Sequence, residues 1–540
     1  VAQDTNDLPS VDLTMNGYLQ QVLRYNQTLQ AQLLDSAAEQ YKEKSEKGIF
    51  EPNLDLSYTF QKDKIQNNQQ EAAQQGASPL YEDQNIIYDG GIDALIPTGA
   101  KIRLGATISD LYNNIAPQSG LQSGIGYNAG TNFYREIQSF VGLSASQPLL
   151  KNAWFTPVMA NIRLAAMDSE IAFQEYRRQM MLTVYQSEGA YWNLYFAQEQ
   201  IHFFDDSVAA AQEVLSDSQE KLKAGQGAQL DVMEAQSALA LRLTKRNDAL
   251  QSYYDALGHL QVFLGVSPDP NRPASGSPMF RAVDDPNTTN SPPTYADTYQ
   301  DGYSLNPDYL IQQEKVNQEQ LRVGVAKNQI LPELDAKANY GYNGLGLTPG
   351  TSWNSLGSEE YPSWSAGLEL ILPLGGNIKG RNDLKGARLH LQEEYVSLKA
   401  VETEMANSLS TGIQKARAWQ QSIQSYATVV EYNHEVFETQ LQRLKAGAAD
   451  AQAVLDAEAD WLDSRQDLAG ALSQYRRALL DVELSDGALL QDNGMDITRK
   501  QLKEQTEALL QHNPDYAVKN IPPPADEFFT PPPLEKSSSK

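Results

Sequence analysis

The six residues Glu220-Lys221-Leu222-Lys223-Ala224-Gly225 return as Gln442-Arg443-Leu444-Lys445-Ala446-Gly447, 222 positions later. Heptad-spaced apolar residues lead into both copies: Val208, Leu215 and Leu222 in the first, Val430, Phe437 and Leu444 in the second. Downstream, Val232, Met233, Ala235, Leu239, Leu250, Tyr253 and Leu257 match Val454, Leu455, Ala457, Trp461, Leu472, Tyr475 and Leu479 position by position. Glycine just past the last periodic residue, with lysine in the last turn, is a helix stop. Each copy reads as helix, tight turn, helix, so the chain carries two long helical hairpins of one plan.

The duplication extends upstream. A helical pattern from about Met15 to Lys47 ends at Pro52, and Leu54, Leu56, Tyr58 and Phe60 then alternate with polar residues as a strand. A second helical stretch from Asn306 ends at Pro332, and Leu334, Ala336, Ala338, Tyr340 and Tyr342 alternate after it. The displacement here is 280 residues, so the first copy carries about 58 extra residues before its turn. Most of the excess lies in 61–136. Residues 61–84 are rich in Gln and Asn and read as an exposed loop. Residues 86–96 and 101–112 read as two added strands joined at Pro97-Thr98-Gly99, and 113–136 as a second loop. Returning strands follow at about 138–149 and 363–374, each ending at a proline before a long helix. No proline occurs from Val158 to Ser267, and between Pro373 and Pro514 there is again none. Since interior proline breaks helices, both gaps fit helices on the order of 100 Å long.

The expected organisation is a first repeat over 1–265, with strands about 53–150 and a helical hairpin about 155–264. A linker follows over 266–304, rich in Pro, Asp and Asn. The second repeat covers 305–487, with strands about 333–374 and a hairpin about 380–487. The segment 488–540 leaves the periodic pattern and ends in Pro522-Pro523-Pro524 and Pro531-Pro532-Pro533. Residues 1–14 read as polar and irregular.

Composition narrows the function. The 540 residues carry a formal charge of -27, which argues against a nucleic-acid partner, since phosphate binding needs basic surface. Cysteine is absent, which excludes disulfides, thiolate metal sites, a cysteine nucleophile and lipid attachment at an N-terminal cysteine. No apolar run is long enough for a transmembrane helix. The opening Val1-Ala2-Gln3 carries no leader, so the chain is either cytosolic or already cleaved from a signal peptide. A closed β-barrel remains open as a membrane structure, because it satisfies every backbone group in lipid. No phosphate-cradling glycine loop, Ser/His/Asp set or dense carboxylate cluster appears, so no enzyme and no cofactor are expected. His390 and Glu393 read as a surface pair.

Four main strands per chain cannot close a barrel, and four helices of this length bury little alone. Oligomerisation answers both needs. The order of elements, the duplication, Gln147-Pro148-Leu149-Leu150 before the long helix, and Val454-Leu455-Asp456-Ala457 after the second turn resemble the TolC-type outer-membrane efflux family. The resemblance covers roughly 15–487. It implies a mainly α fold with a β-barrel part: a homotrimer whose β-barrel in outer-membrane lipid continues into an α-helical barrel in the periplasm. It also implies an outer membrane of a Gram-negative-type cell, with a periplasmic adaptor linking the channel to an inner-membrane pump. The function implied is a passive exit duct for a tripartite efflux pump or type I secretion, gated at its helical tip. The alternative is a periplasmic coiled-coil adaptor or scaffold protein.

The turns Leu222, Lys223, Ala224, Gly225 and Leu444, Lys445, Ala446, Gly447 are helix ends in either case. By resemblance they also meet the adaptor. The helix after each turn carries acids on one face: Asp231 with Glu234, and Asp456 with Asp460. By resemblance Asp456 occupies an acidic position narrowing the periplasmic mouth, with Asp231, Glu234 and Asp450 as further lumen acids. The alternative is that all are ordinary solvated helix acids. The family's second acidic position is Ala453 here, and its latch positions are Leu444 and Ala449, a departure from the latch pattern. Trp353, Tyr361, Trp364, Trp154 and Phe155 flank strand ends, where either an aromatic belt or packing against helices accounts for them.

Overall fold

The computed structural model of the chain describes residues 10–70, 80–114, 126–128, 133–154, 157–265, 279–286 and 291–512. The first repeat runs β1 (Ser10–Leu13), α1 (Met15–Tyr25), α2 (Gln27–Glu46), β2 (Asn53–Gln66), β3 (Leu80–Leu95), β4 (Lys101–Asn113), β5 (Gly126–Asn128), β6 (Phe133–Pro148), α3 (Pro157–Lys223) and α4 (Gln229–Phe263). Then come β7 (Met279–Ala282), α5 (Tyr295–Leu305), α6 (Pro307–Gln329), β8 (Glu333–Gly346), α7 (Pro349–Gly357), β9 (Pro362–Ile371), α8 (Ile378–Lys445) and α9 (Ala451–Asp486). The short α10 (Leu489–Asp492) and α11 (Arg499–His512) follow. The described parts of 1–38, 172–310 and 402–540 form one compact unit, and those of 39–171 and 311–401 a second.

The first unit is a helical bundle. α3 and α8 run for 67 and 68 residues, about 100 Å each at 1.5 Å per residue. Pro157 sits at the first position of α3, where its missing N–H costs nothing. The buried seam of α3 is Phe204, Ser207, Ala211, Val214 and Ser218, at alternating spacings of three and four. The expected heptad Val208, Leu215 and Leu222 lies one position over and is only half-buried, because the small Ser207, Ala211 and Ser218 let neighbouring helices approach closely. In the second copy Phe437 and Leu444 are buried as expected.

Twin asparagines close both repeats. Asn26 breaks the stretch expected as one helix over Met15–Lys47 into α1 and α2, its Oδ1 accepting from Leu29 N at 3.1 Å. Asn306 does the same before α6, accepting from Tyr309 N at 3.1 Å. Their Nδ2 groups donate to equivalent hairpin ends, Asn26 to Phe263 O at 3.5 Å and Asn306 to Ser485 O at 2.8 Å. Gly265 and Gly487, at φ +65° and +82°, follow these ends. A Cβ at either would strike backbone, Tyr25 O at 3.0 Å or Asn306 N at 2.5 Å, so only glycine fits. Two expectations change here. Residues 10–13, read as irregular, form β1, which pairs in parallel with β7 from the expected linker. Tyr191 Oη locks that pair, donating its one proton to Asp284 Oδ2 at 2.6 Å while lying 2.9 Å from Leu13 O. The linker also contains helix α5, and the segment after 487 contains α10 and α11. The Pro-rich tail lies outside the described residues.

Where α9 meets α10 the bundle gathers carboxylates. Burial, then the charges of Glu188, Asp492 and Asp486, push Glu483 up to about 8. Burial, then Asp492 and Asp301, push Asp486 up to about 7. An unfolded carboxyl titrates near 4 (about 4.3 for Glu). A folded pKa raised above the unfolded value gives stability that is full below the unfolded pKa. It is lost as pH rises through the folded pKa. The thermal midpoint of the helical signal, followed by circular dichroism, is expected to fall between pH 6 and pH 9. Glu483→Gln should flatten that fall, and an equal fall in the variant would remove Glu483 as its cause.

The second unit carries an antiparallel sheet ordered β2-β3-β4-β6-β8-β9, with β5 paired to β6. Its path holds six strands, two more than the four main strands of the repeat plan. Residues 61–66 and 80–84, expected in a loop, extend β2 and β3 instead. Apart from Ile65, Leu80 and Tyr81 these ends are polar on both faces, which weakens the period-2 signal without removing the strand. β6 likewise starts at Phe133, inside the expected second loop, while β9 ends at Ile371, short of the expected 374. α7, between β8 and β9, carried no legible signal beyond Pro349. The row Leu54, Ile92, Leu104, Leu143, Tyr340, Trp364 crosses all six strands on one face. Leu56, Leu368 and Trp364 on that face are 73%, 71% and 74% exposed. Tyr361, Trp353 and Trp154 are exposed as well, while Phe155 lies outside the described residues.

Both returning strands lead into their helices through an asparagine in the left-handed region, Asn152 at φ 64° and Asn377 at φ 52°, a conformation asparagine tolerates. Asn152 N donates to Asn328 Oδ1 at 2.7 Å, and Asn377 Nδ2 to Gln329 O at 2.9 Å. The end of α6 thus anchors both strand-to-helix junctions.

Candidate functional site

The two hairpin turns have one geometry. Gly225 and Gly447 sit at φ +75° and +72°. Gln226 N donates to Lys221 O and Ala448 N to Arg443 O, both at 2.8 Å, while Gly225 N and Gly447 N donate to Leu222 O and Leu444 O at 3.0 Å. These paired bonds satisfy the last carbonyls of α3 and α8.

The turns are tied to each other. Lys221 Nζ donates to Leu444 O at 2.6 Å, and Lys445 pairs with Glu213 at 2.7 Å. Beneath them Val214, Ala235, Phe437, Leu444, Ala451, Val454, Leu455 and Ala457 form a small core drawn from α3, α4, α8 and α9. Leu444 is buried in that core at 3% exposure. Of the second turn, Lys445, Ala446 and Gly447 reach the surface; of the first, Lys223, Ala224 and Gly225 do, with Leu222 half-buried.

The acids divide by what holds them. Asp450 caps α9, its Oδ1 accepting from Ala453 N at 2.9 Å. Asp231 caps α4 from the opposite side, its Oδ2 accepting from Ala228 N at 3.1 Å. A capping box needs both halves. Here each hairpin keeps one, with alanine at the other position: Ala228 in the first, Ala453 in the second. Local helix chemistry therefore accounts for both acids. Asp456 differs: it is exposed, accepts from Gln452 Nε2 at 2.7 Å, and caps nothing. Glu234 is half-buried on α4.

A buried ion pair that the sequence reading missed joins the hairpins. Arg242 on α4 and Glu458 on α9 are 8% and 2% exposed. Arg242 Nε donates to Glu458 Oε2 at 2.8 Å, and its terminal nitrogens reach Leu455 O at 3.2 Å and Ala238 O at 3.3 Å. The signal was present: Arg242 continues the spacing Val232, Ala235, Leu239, so a charged residue falls on the apolar seam. Further ties run outward. Arg246 bonds Asp205, and Arg465 pairs with Asp206 at 2.8 Å while lying 4.1 Å over Phe203 and 4.9 Å over Trp461. These bonds tie α4 and α9 to α3 and to each other, the outermost of them about 30 Å from the turns at 1.5 Å per residue.

Among the described residues no group of three His, Cys, Asp or Glu is placed to hold a metal. His390 Nδ1 and Glu393 form an exposed pair at 3.2 Å. No described helix is long and apolar enough to cross a membrane.

A family model described as outer membrane efflux protein matches residues 113–266 and 299–488. The chain is similar to the proteases secretion protein PrtF of Dickeya chrysanthemi, 22% identical over 391 residues, covering 67% of this chain and 76% of that protein. It is similar to the outer membrane protein TolC of Vibrio cholerae, 24% identical over 404 residues, covering 71% and 84%. Among solved structures, the CmeC outer membrane channel of Campylobacter jejuni matches with a TM-score of 0.59 at 15% identity, over 91% of this chain and 89% of that one. At that identity the likeness is one of fold.

Proposed function

Because the chain belongs to the outer membrane efflux protein family, we propose that three copies form a passive exit duct through the outer membrane. The observation that carries the reading is the reach of the family match over both repeats, including both helical hairpins. An adaptor or scaffold, the alternative reading, does not account for that reach, nor for a wide sheet with an exposed apolar face. That face suits lipid, as a barrel wall requires. Energy comes from a partner, an inner-membrane pump reached through a periplasmic adaptor. The exposed Lys223, Ala224, Gly225, Lys445, Ala446 and Gly447 are the surfaces offered to that adaptor.

The matches span two uses. PrtF is named for protease secretion and the matching family for efflux, and this chain serves either secretion or efflux. The gate lies at the hairpin tips, in the periplasm. Three-fold symmetry would turn Asp456 into a ring of carboxylates, and a charged ring in a narrow mouth favours cations. Asp231 and Asp450 stand nearby but are held as caps, so Asp456 is the first choice for selectivity.

The test is conductance of the purified protein in planar bilayers. A cation-selective channel is expected, with Asp456→Ala moving the reversal potential in a salt gradient toward zero. Unchanged selectivity in Asp456→Ala places that residue outside the constriction. Absence of any channel removes the duct itself.

A further inference from the structure

The sheet contains a hairpin that the duplication does not explain. β2, β6, β8 and β9 are the strands of the repeat plan, while β3 and β4 occur only in the first copy. β8 pairs directly with β9 in the second repeat. Their counterparts β2 and β6 do not pair, because β3 and β4 lie between them. The insertion is full length. β3 follows β2 from Asn53↔Asp93 to Gln66↔Leu80, and β4 follows β6 from Lys101↔Ser146 to Asn113↔Tyr134.

The inserted strands also obey the two-faced pattern of their neighbours. On the apolar face Ile92 and Leu104 continue the row between Leu54 and Leu143, and Tyr88 and Ile108 continue the row from Tyr58. On the other face Asp93 and Arg103 continue the row of Asn53, Ser144, Asn339 and Ser365. Arg103 is held there by Asp93 at 2.6 Å, by Asp55 of β2 at 3.5 Å and by Asp89. A hairpin lying outside the wall would have no reason to keep an exposed apolar face in register with the wall. The apolar rows run from about residue 54 to 60 in β2 and 86 to 94 in β3. At about 3.3 Å per residue these runs are about 20 Å and about 26 Å long along the strand, the scale of the lipid-facing apolar stretch of a barrel strand. Beyond it the same face turns charged, with Lys64 bonded to Glu82, and Asp110 in the last apolar row pairs outward with Arg135 at 2.6 Å.

The edges of this sheet are β2 and β9. In lipid their free backbone groups must be satisfied. Every junction along the path is antiparallel, so β2 and β9 run in opposite directions. The β9 of a second copy can therefore continue the sheet beyond β2 with the same alternation, in a head-to-tail contact that closes as a ring.

We infer that the inserted hairpin is barrel wall, and that three copies joined β2 to β9 close a barrel of 18 strands instead of the 12 that the repeat plan alone supplies. The number three rests on the proposed trimeric duct. Barrel diameter grows roughly linearly with strand number, so the exit is about 1.5-fold wider, in the size range that leaves a water-filled channel. The insertion sets the width of cargo that can leave.

Two measurements on the full chain test this. Electron microscopy of the detergent-solubilised trimer should count 18 strands. The chain has no cysteine, so introduced pairs report without background. Cysteines scanned over Ser57 and Thr59 in β2 and Ser363 and Ser365 in β9 should give disulfide-linked trimers on non-reducing gels. Cysteines at Ser57 or Thr59 with Gly142 or Ser144 in β6 should not link. Twelve strands, or β2–β6 links within one copy, would overturn the inference. A conducting trimer with 12 strands sinks only the widened barrel, whereas a protein that is neither trimeric nor conducting sinks the duct reading as well.

Discussion

Arg242→Ala is expected to destabilise the tip bundle by about 3–5 kcal/mol, the usual cost of leaving one member of a buried ion pair alone. Glu458 would remain almost wholly buried between α4 and α9, with no cation to replace the guanidinium. Leu455 O and Ala238 O would lose their donors as well. The loss should appear as a lower thermal midpoint and as faster protease cleavage near the turns. Glu458→Ala should do comparable harm from the other side. The double variant Arg242→Met with Glu458→Leu should recover most of the stability, because it removes both desolvation penalties and keeps the volume. A single Arg242→Ala as stable as the parent would mean that water reaches Glu458 and the pair is not a lock. Since the pair joins the two hairpins, the double variant also separates stability from gating. A duct whose closed state depends on this tie should show raised resting conductance even when stability is restored.

The second large effect concerns adjacent residues of β8. Tyr340 stands on the apolar face between Leu143 and Trp364, and Asn339 on the other face between Ser144 and Ser365. Arginine on a lipid-facing site costs up to about 2–4 kcal/mol at the bilayer midplane and less toward the interfaces, whereas lumen positions tolerate charge. Tyr340→Arg should therefore deplete assembled protein from the outer-membrane fraction, and Asn339→Arg should leave its amount near normal while changing conductance. The reverse outcome would invert the sheet and place its apolar face inside.

The hairpins and the returning strands were legible because duplication shows them twice. A weak pattern such as Leu372-Pro373-Leu374 gains meaning only beside Gln147-Pro148-Leu149. Features present once were harder to see. The outer ends of β2 and β3 escaped because Lys62, Lys64, Glu82 and Gln84 lie beyond the apolar band, where neither face needs to be apolar. β1 and β7 escaped because four-residue strands of such distant sequence cannot announce their pairing. At the site, the turn glycines were legible as helix stops, since a positive φ leaves a glycine signature. The acids were legible as a cluster but not by role. Asp231 and Asp450 prove to be caps, which spacing to Ala228 and Ala453 alone could have suggested. The lock at Arg242 and Glu458 needed the heptad register to be carried one step further along α4.

The twin asparagines separate two kinds of fastening. Asn26 reaches Phe263 within the first repeat, and Asn306 reaches Ser485 within the second, at equivalent positions. Each repeat thus fastens its opening helices to the end of its own hairpin, independently of the other repeat. The ties between halves have no such twin: Ser464 stands where Arg242 would repeat, and Gln236 where Glu458 would. Those depend on the two repeats differing in sequence. The twinned fastenings would hold two separate half-length chains as well as one. The untwinned ones need two unlike repeats side by side, and the covalent link between the repeats guarantees that they meet.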